Sequence, residues 1–82
     1  MLKLINIAIG LKKIEADYIP ENSDKSAHIT LDIKTRDYTA ENIKEFGSMY
    51  GRMAANGLIK TLDELKSGKR KEIPEERLVM WY

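Results

Sequence analysis

The stretch TAENIKEFGSMYGRMAANGLIKTLDELKSG, residues 39–68, decides how this chain is read. Within it Ile43, Phe46, Tyr50, Met53, Ala54, Leu58, Leu62 and Leu65 recur at helical spacing. Thr39 fits an N-cap, and Glu41 falls in the first turn, where the helix dipole favours a carboxylate. Asn42 stands where a capping box would carry Glu or Gln, so that motif is absent. Lys66 and Gly68 form a conventional stop. Asn56 and Gly57 are a turn pair elsewhere, but the apolar period runs through them in phase. The pattern therefore predicts one helix from Thr39 to Gly68, kinked at most.

Gly47, Gly51 and Ala55 follow one another at intervals of four and make a small-residue flank beside the bulky stripe. A glycine inside a helix costs about 1 kcal/mol relative to alanine, so a helix that carries several gains something from close backbone approach. A helix of about 28 residues runs about 42 Å. A chain of this length folds to a radius of gyration of about 12 Å, a body roughly 30 Å across. Such a helix should overhang, bend or be covered by another subunit.

Outward from the helix, strands are expected. Ile5, Ile7, Ile9 and Leu11 alternate, with Leu2, Leu4 and Ala8 on the opposite face. The inward parity then changes to Ile14, Ala16 and Tyr18. Either one long strand carries a bulge near residues 10–13, or a turn there joins two short strands; Gly10 alone is a turn residue, which favours the bulge. Residues 20–27 (PENSDKSA) are a loop by chemistry. Ile29, Leu31 and Ile33 then alternate with His28, Thr30, Asp32 and Lys34, a half-buried strand expected to pair antiparallel with residues 14–19. A charged connector containing Pro74 leads to RLVMWY, residues 77–82, which reads as a last strand with Leu78, Met80 and Tyr82 opposite Val79 and Trp81. The fold class expected is α+β: one domain spanning residues 1–82, with an antiparallel-dominated sheet of three to four strands in β-β-α-β order against one long helix.

Composition limits the function. At 82 residues the core is thin, and with no cysteine neither disulfides nor thiolate metal sites reinforce it. A net charge of +1 provides no field to capture nucleic acid or an anionic membrane. The apolar N-terminus is interrupted by Asn6 and followed by Lys12 and Lys13, unlike a secretory signal, and no run reaches membrane-spanning length. A cytoplasmic location is expected, and the Lys-, Glu- and Ile-rich composition suits a small bacterial or mobile-element reading frame.

Catalytic chemistry has little to work with. His28 is the lone histidine, placed on the wet face of a strand. An active site would need Glu15, Asp17, His28 and Asp32 to converge from adjacent strands, whereas solvated charge is the simpler reading. No phosphate-binding glycine loop, calcium loop or metal-ligand spacing is present, so no cofactor or metal is expected. Lys66, Lys69, Arg70 and Lys71 form the densest basic cluster. With Lys12 and Lys13 they could contact phosphates, but cations answering the negative helix end are the simpler reading.

The function expected is a non-enzymatic interaction protein, a homodimer or the partner of another protein, working through the long helix, the last strand or both. Gly47, Tyr50, Gly51, Met53, Ala55, Trp81 and Tyr82 are the candidate contact residues. The alternative is a nucleic-acid-associated accessory protein contacting phosphates through the basic cluster.

Overall fold

The computed structural model describes residues 2–21, 23–41 and 46–79. Among the described residues the chain forms an antiparallel five-stranded sheet packed against one helix, an α+β architecture. The elements are β1 (Leu2–Ile9), β2 (Lys13–Pro20), β3 (Ala27–Asp32), β4 (Tyr38–Ala40), α1 (Ser48–Ser67) and β5 (Glu76–Val79). The sheet order is β4-β3-β2-β1-β5. Four strands form a meander, the helix crosses the sheet, and β5 joins the far edge beside β1, antiparallel to it. The expected three to four strands in β-β-α-β order are thus corrected to five in β-β-β-β-α-β order.

Residues 2–20 form two strands, not one bulged strand. Gly10 N–H donates to the Lys13 carbonyl at 2.8 Å, closing a hairpin that pairs Ile9 with Ile14. A bulge does exist, but it lies earlier, between Ile5 and Ala8. Asn6 adopts φ 54°, a left-handed conformation that asparagine tolerates better than most residues. The extra residue shifts the side-chain parity, so Leu2, Leu4 and Ile7 point into the core. The alternation of Ile5, Ile7 and Ile9 is therefore not one face: Ile9 is exposed and Ile5 half-buried.

The β2–β3 pairing follows the expected register, with Ala16 opposite Ile29 and Asp17 opposite His28. Ile14, Ala16 and Tyr18 face the helix, as do Ile29 and Leu31. A tight turn follows β3. The Asp32 carboxylate accepts from the N–H groups of Lys34 and Thr35, both at 2.9 Å, and Arg36 takes a left-handed φ of 68°. Thr39 then sits in β4 opposite Thr30, not at a helix N-cap. Glu41 N–H donates to the His28 carbonyl, so Glu41 extends the strand pairing instead of opening the helix. The Tyr18 hydroxyl, on a fully buried side chain, donates to the Glu41 carbonyl and fixes this corner. Burial, then the nearby Glu41 and Tyr38, hold the Tyr18 pKa above the usual phenol range.

The helix begins at Ser48 because Gly47 stands at its N-cap with φ 97°, which a residue with a Cβ rarely adopts. It runs unbroken through Asn56 and Gly57 and ends as the sequence indicates, with Gly68 in the left-handed conformation. Its 20 residues span about 30 Å. The molecule measures 34 × 22 × 21 Å with a radius of gyration of 11.8 Å. The helix therefore fits its own body, and the overhang expected from a helix starting at Thr39 does not occur. Leu58 and Leu62 bury alongside Ala54 and Ala55, and the helix lies over β1, β2, β3 and β5. Among the described residues, the opposite face of the sheet carries no helix.

Candidate association surface

Three local arrangements place the residues of interest. The first is the contact between α1 and the β1–β5 pair. A Cβ on Gly57 would come within 2.7 Å of Val79 Cγ2 and 2.9 Å of Leu4 Cδ1, so only glycine lets the helix sit this close. Beside it Thr61 is fully buried. Its hydroxyl donates to the Gly57 carbonyl at 2.9 Å and accepts from Arg77 Nη1 at 3.1 Å. Arg77 also donates from Nη1 to Glu64 Oε1 at 2.5 Å, while Arg70 Nε donates to the same oxygen at 3.4 Å. Arg77, with Arg70 as a lesser contributor, pulls the Glu64 pKa down to about 2. The strand β5 is thus held in a slot: β1 on one side, a glycine notch for Val79 and an anionic socket for Arg77 beneath the helix.

Sequence reasoning missed this slot. It placed Arg77 at the start of the last strand and gave Glu64 no role. The two are 13 residues apart, and only the helix crossing brings them together. The three glycines inside the predicted helix were the one available signal of close approach, and Gly57 is the position that bears it out.

The second arrangement is the small-residue flank. Gly51 and Ala55 are buried within the single chain, Tyr50 and Met53 pack partly against the same core, and Gly47 is exposed at the helix start. Of the flank, Gly51 and Ala55 lie in this chain's own interior. Trp81 and Tyr82 lie outside the described residues. β5 ends at Val79, with Leu78 58% exposed on the helix-free face and Val79 packed against the core. A shallow hollow of about 140 Å³ lies next to Leu78, lined also by Lys3, Ile19 and Pro20. The outer edge of β5 faces no other strand among the described residues.

The third is the helix-free face of β1, β2 and β3. Glu15, Asp17 and His28 do meet there. His28 Nδ1 donates to Asp17 Oδ1 at 2.9 Å, and its Nε2 lies 3.9 Å from Glu15 Oε1. Asn6 Nδ2 donates to Asp17 Oδ2 at 3.0 Å. The Asn6 hydrogen bond first, then that of His28, lowers the Asp17 pKa. Asp32 does not join them; it is engaged in its own turn, and the Thr35 N–H leads in lowering its pKa. The meeting groups are between 31% and 40% exposed. Among the described residues, no group of histidine and carboxylate side chains is arranged to hold a metal ion.

The basic cluster is divided. Arg70 turns inward to Glu64, both by side chain and by its N–H to the Glu64 carbonyl at 3.2 Å. Lys66, Lys69 and Lys71 are exposed, as are Lys12 and Lys13 in the β1–β2 hairpin. No helix among the described residues is long and apolar enough to cross a membrane. The chain matches no protein-family model, no curated protein and no solved structure.

Proposed function

We propose that this chain is a non-enzymatic association protein that forms a homodimer through its C-terminal strand. The observation that carries the reading is the edge of β5. Exposed sheet edges are templates for pairing and are usually blunted by shortness, charges, proline or bulges, and of these β5 has only its shortness. Here neither charge of β5 guards the edge: Arg77 is drawn under the helix to Glu64, and Glu76 pairs with Lys3 of β1 at 3.3 Å. No proline or bulge interrupts Glu76–Val79. Leu78 presents apolar surface beside the edge. The helix flank gives the reading no support, because Gly51 and Ala55 are taken up internally. The lack of cysteine suits a cytoplasmic, reducing setting.

The test is association against concentration. Light scattering at tens of micromolar should return a dimer, and Leu78→Lys should weaken it at least tenfold while leaving the far-ultraviolet circular dichroism unchanged. Unaltered association in Leu78→Lys would remove the outer edge of β5 and its flanking face as the contact. The alternative, phosphate contact by Lys66, Lys69 and Lys71, rests on their exposure, with Arg70 already engaged. It requires a complex with a nucleic acid duplex whose affinity falls steeply with salt.

A further inference from the structure

We propose that β5 is an exchangeable strand: in the dimer, each copy's β5 occupies the slot beside the other copy's β1. This rests on the reading that association runs through the C-terminal strand, and it specifies how. The slot is shaped for one sequence. The edge of β1 sets the register, with Leu2 opposite Val79 and Ile5 opposite Glu76. The Gly57 notch receives Val79, and the Glu64 carboxylate receives Arg77. A second copy's β5 meets every one of these requirements, because exchange remakes identical contacts between chains instead of within one.

The connection permits the crossing. Residues 68–75 hold no helix or strand and separate α1 from β5. Arg70 anchors their first part to Glu64, which leaves residues 71–75 as the stretch that must redirect. Five residues reach about 17 Å when extended. Pro74 already biases Ile73 away from helical backbone and towards extension. Ile73 is 40% exposed in the closed chain. In the exchanged dimer two such crossings run side by side about a two-fold axis, where the two Ile73 side chains can cover one another. Strand β5 itself is short and only half-buried, so few contacts are released while it changes slots.

The absence of cysteine makes a clean test. Ile5→Cys with Glu76→Cys places two thiols on directly opposed positions of β1 and β5, as does Lys3→Cys with Leu78→Cys in a second variant. Opposed Cα atoms in an antiparallel pair lie about 4.5–5.5 Å apart, within disulfide reach. Each double variant is joined by oxidation or by a short bis-maleimide, then measured natively and after denaturation without reductant. Exchange predicts a dimer in both states, because each link ties one copy's β1 to the other's β5. A native dimer that denatures to linked monomers overturns exchange and leaves association through another contact standing. A native monomer at tens of micromolar removes both. Failure of both variants to join also overturns exchange, since it requires β1 and β5 to be neighbours.

Discussion

Replacing Gly57 by alanine sets two effects of known size against each other. In an exposed helix interior the change would stabilise by about 1 kcal/mol, because alanine is the better helix former. Here the new methyl would sit 2.7 Å from Val79 Cγ2 and 2.9 Å from Leu4 Cδ1, where carbon atoms in good contact lie about 3.5–4.0 Å apart. Neither neighbour yields easily. Val79 is branched at Cβ and stiff in χ1. Leu4 is fully buried, so its free end has little room to turn. Overpacking of this kind costs about 1–3 kcal/mol. The net expectation is a destabilisation of up to about 2 kcal/mol. Urea unfolding followed by circular dichroism reads it as a midpoint lowered by about 1 M, with an unchanged slope. Asn56→Ala, one residue away and exposed, should instead hold or raise the midpoint. Val79→Ala removes one of the two clashing atoms, so the double variant with Gly57→Ala should be more stable than the sum of the single changes by about 1 kcal/mol. A midpoint raised by Gly57→Ala, together with additive single changes, would refute the close seating of α1 on β1 and β5.

Two further outcomes follow from the same contacts. Glu64 titrates at about 2 instead of its ordinary 4.5, chiefly because of Arg77, so its folded form favours the charged carboxylate. That stabilisation is complete above pH 4.5 and is lost as the pH falls towards 2. Arg77→Ala should therefore lose stability relative to the parent at neutral pH, with the gap narrowing across this window in urea midpoints taken at several pH values. At the β1 bulge, Asn6→Ala should cost about 1–2 kcal/mol through its left-handed backbone. Asn6→Gly should melt above Asn6→Ala, because glycine accepts that conformation while both variants lose the hydrogen bond to Asp17.

The sequence made β2, β3 and the body of the helix legible because their signals are local. Ile14, Ala16 and Tyr18 keep strict alternation, and Leu58, Leu62 and Leu65 keep the helical period past Asn56 and Gly57. The helix start was misplaced because residues 39–47 continue that period, while the backbone of Gly47 ends it. Thr39 and Glu41 carry capping chemistry, yet the edge of β3 offers them a strand pairing that no local pattern reveals. The β1 parity was misread for a related reason: one left-handed residue, Asn6, moves Leu2, Leu4 and Ile7 onto one face. Of the candidate contacts, Gly51 and Ala55 are taken up by the chain's own core, and the excess length that suggested a covering partner is absent from a 20-residue helix. The socket joining Glu64, Thr61 and Arg77 had no sequence signature, since its members belong to elements that meet only in the folded chain.

The central claim is that this chain pairs with a second copy through β5, and its mass in solution tests that most directly. Sedimentation equilibrium from about one to about one hundred micromolar should show twice the 9.4 kDa of a single chain at the upper concentrations, dissociating on dilution. A constant 9.4 kDa across the whole range would contradict it.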